Sequence, residues 1–497
     1  MIFCIKGMKT WYIPKRSIFT ILGFFGVISF YATRVNMSIA MVAMVNHTRD
    51  TSFNESNQDA ACQHLIRNET KETEVHFTGT KYNWDPETQG FILSSFYYGY
   101  VATQLPGGIL CERLGSKWLF GGGVLITTSL YLLVPLAASW GVTAFAAIRI
   151  LEGLGEGLTF PALTFAISNW APKFERSRIS AIINAGIPIG NILGSPISGF
   201  LSSSELFGGW PSTFYLFGGI GCIWFVFWCL LEYETPEQHP TISKEELLYI
   251  QKSKSEKPQQ SPIPWKDIFS SKPVWAVIVA HFGHNYSFLM FLTMLLTYFK
   301  TILHFDIQLN GSISALPYAV QTVSTLVASY IADKLRESNK LSITTIRKLC
   351  NSIGLMGPGL CCLGIIASGC HSTQIVVLLC VAMFLNGFVY SGYNVTHVDM
   401  SPDFAGVLFG ITNSISNTAG ILSPMIVGLL TASGATLENW NRVFYITTAV
   451  YFSTAIFYAI FASAELQPWG DAKNNADTKK NKIPMGERIY FVECTEK

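Results

Sequence analysis

Charged side chains are scarce in this sequence. Lys, Arg, Asp and Glu make up 13% of the 497 residues, against about 25% in an ordinary soluble chain. That excludes a string of soluble domains, although the length alone would suit about three of them. An excess of either sign is also missing. The 34 basic and 32 acidic residues leave +2, which excludes the basic surface a nucleic-acid partner needs. The eleven cysteines include no CxxC pair and no zinc-ligand spacing. Most lie inside apolar runs, where they read as small packing residues. No HExxH, GxSxG or DxxD cluster is present to build a membrane enzyme, and no GxxxxGK[ST] to drive pumping with ATP. Alternating strands of about ten residues are absent, which excludes a transmembrane barrel.

What is present is apolar sequence in long runs. Hydrophobic residues make up 49% of the chain, and the mean hydropathy is +0.34. A bilayer core needs about 20 apolar residues in a helix, the one open-chain form that satisfies its own backbone in lipid. Candidate spans fall at 17–45, 89–111, 118–138, 142–168, 178–203 and 213–233, then at 274–299, 313–332, 346–368, 374–398, 406–432 and 442–464. The expected fold is therefore an all-α integral membrane protein of twelve transmembrane helices in two six-helix bundles. Its parts are an N-terminus over 1–16, a first bundle over 17–233, a linker over 234–272, a second bundle over 273–464 and a tail over 465–497. The first span is too long for a cleavable signal peptide, and Arg34 interrupts it. The linker holds Pro258, Pro262 and Pro264 and a helical stretch around Ser243–Lys254.

Charge bias sets the orientation. Lys6, Lys9, Lys15 and Arg16 precede the first span and place the N-terminus in the cytoplasm. Arg113 and Lys117, then Lys173, Arg176 and Arg178, then Lys334, Arg336, Lys340, Arg347 and Lys348, fall on the same side. The loop over 46–88 then faces outward or into a lumen. It carries three glycosylation sequons, at Asn46, Asn54 and Asn68. Cys62 and Cys370 both fall on that side in this topology; whether they pair stays open. The halves also resemble each other. Gly108-Ile-Leu-Cys-Glu112-Arg113-Leu114 after span 2 matches Ser329-Tyr-Ile-Ala-Asp333-Lys334-Leu335 after span 8, and Ala171-Pro172 after span 4 matches Ser401-Pro402 after span 10. Such a repeat builds a midplane site between two rocking halves.

Charges inside spans are costly and mark function or a buried pair. Arg34 lies mid-span; its guanidinium stays charged and forks onto a carboxylate or phosphate. Arg149, Glu152 and Glu156 share one face of span 4, within about 60° at 100° per residue. Two carboxylates one turn apart repel when both ionise, so one of them becomes a proton acceptor. A static Arg–Glu lock is the other reading. Asn394, His397 and Asp399 close span 10, as part of a site or as a gate near the helix end. His281 and His284 in span 7 read as structural. Gly153, Gly155 and Gly157, then Gly186, Gly190 and Gly194, permit close helix contact. Pro188 and Pro196 are expected to bend span 5, and Pro424 span 11.

Gly108-x-x-x-Glu112-Arg113-x-Gly115-x-Lys117 resembles the loop 2–3 motif of the major facilitator superfamily. Arg34-Val-Asn36-Met-Ser38, Glu152-Gly-Leu-Gly-Glu156-Gly-x-Thr159-Phe160-Pro161-Ala162, Trp170-Ala-Pro172-x-x-Glu175-Arg176-Ser177, Ser391-Gly-Tyr393-Asn394-x-x-His397-x-Asp399 and Gln467-Pro468-Trp469 narrow it. Together they resemble the anion symporters: sialin, the sodium/phosphate cotransporters and the vesicular glutamate transporters. The resemblance implies a secondary transporter of a small organic anion, of the sialic acid or acidic amino acid type, driven by a proton gradient. Sodium-dependent phosphate cotransport is the alternative, with Na+ in place of H+ as coupling ion. It implies substrate binding by Arg34, Asn394 and His397, proton coupling by Glu152, Glu156 and Arg149, and a conformational gate from Glu112, Arg113, Asp333 and Asp399. No cofactor, metal, catalytic residue, nucleic acid or obligatory protein partner is expected; the partners are the anion and the lipid bilayer of the plasma or endolysosomal membrane. His284 stands where vesicular glutamate transporters are expected to have arginine, Glu152 where they tend to have glutamine, and Thr164 where sialin is expected to have histidine. The pattern is sialin-like without matching sialin's own span 4.

Overall fold

The computed structural model describes residues 13–46, 62, 80–172, 175–204, 208–253, 263–402 and 404–470. Among them the first half contains α1 (Lys15–Met44), α2 (Pro86–Leu114), α3 (Ser116–Trp140), α4 (Val142–Gly157), α5 (Thr159–Trp170), α6 (Arg176–Asn184), α7 (Gly186–Ser203) and α8 (Pro211–Leu231). Two short helices, α9 (Lys244–Ser253) and α10 (Trp265–Ser270), lie between the halves in sequence. The second half contains α11 (Lys272–Thr301), α12 (Ile307–Glu337), α13 (Ile343–Ser368), α14 (Ser372–Asn386), a 3-10 turn (Gly387–Ser391), α15 (Tyr393–Met400), α16 (Ala405–Ser416), α17 (Ala419–Thr431) and α18 (Leu437–Phe461). Each half makes six crossings, the fourth and fifth of which are broken once. The α9 helix falls where the sequence suggested it; α10 was not foreseen.

Two breaks have a proline cause. Pro161 has no N–H for the carbonyl of Gly157, where α4 ends, and Pro188 has none for that of Asn184, where α6 ends. Pro196 and Pro424 lie inside the helices α7 and α17. Crossing ten breaks without proline. There a Cβ on Gly392 would stand 2.9 Å from the Asn351 nitrogen, and one on Gly354 2.6 Å from the Val389 side chain.

Eight crossings are long and apolar enough to span a bilayer by composition alone. The other four are α2, α6–α7, α11 and α12. They are less apolar because much of their surface meets protein. The α2 helix packs on α17 and α7 on α12, joining the halves, and α11 meets α1, α17 and α18.

Within the first half α2 and α4 come closest. A Cβ on Gly99 would stand 2.0 Å from the Ile150 carbonyl oxygen, and one on Gly153 1.9 Å from that of Phe96. Gly153→Ala is therefore expected to cost about 3 kcal/mol or more, since backbone cannot yield as a side chain does. The measurement is the melting temperature of the detergent-solubilised protein. An unchanged value would mean the helices do not approach this closely.

The halves press together at one end of the molecule. Gly90 lies against the Pro424 carbonyl, Gly428 against that of Pro86, and Gly199 against that of Ile307. Asp85 caps α2 there, and hydrogen bonds from Thr88 hold its carboxyl below the usual carboxylate range. At the same end a disulfide joins Cys62 to Cys370, tying the loop after α1 to the turn between α13 and α14. If a protease site is placed within 254–262 and cut, the two halves should migrate as one band until reduced. Cys370→Ser should abolish that dependence; separate bands without reductant in the parent chain would disprove the bond.

The opposite end carries the linker. The Glu246 carboxylate on α9 accepts from the backbone N–H groups of Lys15 and Arg16 at 3.0 and 3.1 Å, and from the Arg16 side chain at 3.1 Å. Glu234 caps α3 through the N–H groups of Ser116 and Lys117 at 2.7 and 2.8 Å. Its carboxylate occupies the space a Cβ on Gly115 would need, at φ +84°. The Trp170 indole donates to the Tyr233 carbonyl at 3.0 Å. In the second half Gln467 N–H donates to the Met400 carbonyl at 2.9 Å, and the Ser401 hydroxyl to that of Gly470 at 3.1 Å. Each half thus ends in a strap folded onto its own fourth crossing.

Candidate functional site

Arg34 sits near the middle of the 30-residue α1 and is 8% exposed. One guanidinium nitrogen pairs with Glu156 of α4. Three rings surround the guanidinium, those of Tyr31, Phe96 and Tyr100, with centroids 4.9, 5.1 and 4.8 Å away. Each face donates quadrupole attraction to the cation. One turn along α4, Arg149 pairs with Glu152 and lies 5.0 Å from the Phe96 ring. Phe96 of α2 therefore meets both arginines.

The two ion pairs are nearly dry, which makes them expensive unless every donor and acceptor is used. They are not all used. Arg34 Nε, Arg149 Nε and Glu152 Oε1 have no hydrogen-bond partner among the described residues. A buried cation with an idle donor beside a carboxylate it already holds can exchange that carboxylate for an incoming one. Asn36 Nδ2 donates to the Tyr131 hydroxyl at 2.5 Å, and that hydroxyl donates to the Thr33 carbonyl at 3.0 Å. These bonds fix α1 against α3 on either side of Arg34 in sequence.

The facing wall comes from the second half. Asn386 Nδ2 donates to the Gly354 carbonyl at 3.3 Å, so its Oδ1 is the acceptor for Gln321 Nε2 at 2.7 Å and for His284 Nε2 at 3.1 Å. His284 Nδ1 lies 2.9 Å from the Tyr393 hydroxyl, which can either donate to it or accept from it. Tyr97 and Tyr318 are 2% and 3% exposed, and their hydroxyls have no partner among the described residues. Tyr97 also lies against α17, where a Cβ on Gly420 would come within 2.4 Å of its ring.

Of the residues singled out in sequence, Arg34, Arg149, Glu152 and Glu156 come together in the first half. His397 lies in the second half, 1% exposed, with both ring nitrogens bonded, to Thr412 and to the Asn394 carbonyl. Asn394 is half-buried. Asp399 pairs with Arg347 of α13 at 2.7 Å, and Arg347 also donates to the Ser391 carbonyl at 3.0 Å. Arg347 was read only as a loop cation. Arg113 and Asp333 are exposed at helix ends, and the side chain of Glu112 lies outside the described residues. Asn46 is exposed and donates to Asn83 at 3.3 Å; Asn54 and Asn68 lie outside the described residues. Sequence reasoning missed Tyr31, Phe96, Tyr97, Tyr100, Gln321, Asn386 and Arg347. The one usable signal was polarity: Gln321 and Asn386 each interrupt an apolar span.

The sequence profile of the Major Facilitator Superfamily matches residues 19–424. The chain belongs to the Major Facilitator Superfamily. Within it, human sialin is 40% identical over 452 residues, covering 90% of this chain and 89% of sialin. A putative inorganic phosphate cotransporter of Drosophila melanogaster is 38% identical over 467 residues, covering 93% and 87%. Human vesicular glutamate transporter 2 is 36% identical over 475 residues, covering 94% and 77%. These relatives place the chain in the sialin-like anion:cation symporter group. Among solved structures, a bacterial homolog to the human lysosomal transporter Spinster, inward-facing and unoccupied, aligns with TM-score 0.67 at 13% identity, covering 92% of this chain and all of that one. The xylose transporter XylE from E. coli, inward open, aligns with TM-score 0.65 at 12% identity, covering 90% and 96%. Those two likenesses are of fold alone. This superfamily member is a multi-pass membrane protein and a secondary transporter, not an enzyme.

Proposed function

We propose that this transporter carries a small organic anion with a carboxylate, of the sialic acid or acidic amino acid type, together with a proton. The observation that carries the reading is Arg34, buried mid-helix with Glu156 on one nitrogen, an idle Nε and three aromatic rings around it. The entering carboxylate takes Glu156's place on the guanidinium. The displaced Glu156 shares one face with Glu152, and repulsion between them is relieved by binding one proton. Glu152 and Arg149 complete that coupling unit. Asn394 and His397 shape the wall opposite. Arg347–Asp399, with Glu112, Arg113 and Asp333, forms the gate region near the linker end.

Sodium-coupled phosphate transport is the second reading; the Drosophila relative's name and its comparable identity favour phosphate as the cargo. Proteoliposome uptake of labelled sialic acid, aspartate and phosphate, with proton and sodium gradients imposed separately, separates the two. Uptake of phosphate alone, driven by sodium alone, would overturn the first.

The linker end is cytoplasmic and the disulfide end faces outward or into a lumen, in the plasma or an endolysosomal membrane. Charge bias supports this, and so does the disulfide, which needs an oxidising side. Asn46, Asn54 and Asn68 are the glycan acceptors. The triple Asn→Gln variant should run at the position of glycosidase-treated wild type and ignore the enzyme. Unchanged migration of wild type after glycosidase would remove this support for the topology.

A further inference from the structure

His281 of α11, His397 of α15 and Thr412 of α16 are 4%, 1% and 1% exposed and meet at one hydroxyl. His281 Nδ1 lies 3.2 Å and His397 Nε2 2.8 Å from Thr412 Oγ1. The other nitrogen of His397, Nδ1, lies 3.0 Å from the Asn394 carbonyl oxygen. Thr412 Oγ1 also reaches the Phe409 carbonyl oxygen at 3.2 Å.

Donor rules fix the directions. A carbonyl only accepts, so His397 Nδ1 carries hydrogen. In the neutral ring Nε2 is then a lone pair, and Thr412 donates to it. The Thr412 oxygen accepts in turn from His281 Nδ1–H. Both His397 nitrogens and the Thr412 hydroxyl are bonded. Now add one proton to His397 Nε2. That nitrogen becomes a donor, the Thr412 hydrogen swings to the Phe409 carbonyl, and the Thr412 oxygen accepts from both histidines. Both His397 nitrogens and the Thr412 hydroxyl are bonded again. The His397–Thr412 pair has two hydrogen-bond patterns that differ by one proton and need no movement of heavy atoms.

We propose that His281, Thr412 and His397 form a second proton-binding site, in the C-terminal half, with the proton held on His397 Nε2. This rests on the proton-coupled reading above and adds a site to it. The titratable and charged groups around the cluster are already engaged. On α11, His284 is bonded to Asn386 and Tyr393. On α15, the Tyr393 ring lies tilted 4.9 Å from His281, and Asp399 is held by Arg347 of α13. On α18, Tyr458 is bonded to Thr396. From α16 the cluster is faced by the uncharged Phe409 ring. The carboxylate named beside the cluster, Asp399, is already balanced by Arg347. The balancing charge is the transported anion, so anion and proton bind in concert. The proton also moves the Thr412 bond from α15 to its own helix, between the two crossings that break at Gly387–Ser391 and at Asn417.

The test uses purified full-length protein and three probes, sialic acid, aspartate and phosphate. The readout is the rise in melting temperature each probe gives between about pH 5 and 8, the range in which histidine titrates. The probe that stabilises wild type most should do so more strongly at the acid end. His397→Gln and Thr412→Val should each lose the part of that pH dependence that the Glu152–Glu156 pair does not supply, Thr412→Val while still binding the probe. Thr412→Ser, which keeps the hydroxyl, should retain it. Pairs of variants guard against one failing to fold. Wild-type pH dependence in both His397→Gln and Thr412→Val overturns the site, as does a pH-independent wild type. If the variants lose the pH dependence but sodium alone drives uptake in wild type, the second site stands and the proton-coupled transport reading falls.

Discussion

Arg34→Lys should reach the membrane in wild-type amounts and transport about 10- to 100-fold more slowly. The charge is kept, so Glu156 is not left alone in the core, a loss that costs about 3–5 kcal/mol when a buried pair is broken outright. What is lost is the fork. A guanidinium holds Glu156 on one nitrogen while offering another to the entering carboxylate, and its flat face rests among Tyr31, Phe96 and Tyr100. An ammonium is a compact, strongly hydrated point charge without that geometry. One charged hydrogen bond is worth about 1.5–3 kcal/mol, and each 1.4 kcal/mol is about tenfold in rate. Surface biotinylation gives the amount in the membrane, and uptake of the three labelled anions gives the rate. Normal affinity and rate would make Arg34 a structural residue.

Glu152→Gln and Glu156→Gln should abolish accumulation against a proton gradient and spare exchange of anion for anion. With one proton per singly charged anion, one pH unit sustains about tenfold accumulation, or about 1.4 kcal/mol. Glutamine copies the protonated carboxyl in shape and charge, so the variant is fixed in the state that coupling must enter and leave. Exchange needs no net proton movement and survives. Glu156→Gln should show the larger effect, because Glu156 holds the substrate-binding arginine, whereas Glu152 holds Arg149. The assays are accumulation at imposed pH gradients and counterflow at equal pH. If both single variants and the double variant accumulate as wild type does, coupling lies elsewhere.

The legible parts of this site were those with a large cost attached. A charge in an apolar span announces itself, so Arg34, Arg149, Glu152 and Glu156 could be read directly, and helical spacing put the last three on one face. The partner of Arg34 could not be read. Glu156 is 122 residues away on another helix, and either glutamate would have served. Arg347 was misread because charge bias counts every cation near a helix end alike, whether it faces headgroups or a buried Asp399. Tyr97 and Tyr318 were hidden because an aromatic ring in an apolar span is by default packing; only the idle hydroxyls set them apart. The break in crossing four was hidden because the run over 142–168 stays apolar across it, and Pro161 falls in the first turn of α5, where proline is compatible with a helix. Crossing ten carries no proline at all; at its break Gly392 and Gly354 let it lie close against α13.

The bond between Cys62 and Cys370 orders events during synthesis. Cys370 leaves the ribosome 308 residues after Cys62, when the first half, the linker and three crossings of the second have already been made. Until then Cys62 has no Cys370 to pair with. The bond therefore closes late, and only in chains whose second half has arrived beside the first. An incomplete or misassembled chain exposes a reduced cysteine on the oxidising side, where quality control can recognise it. The finished transporter bears a covalent record that both halves were assembled.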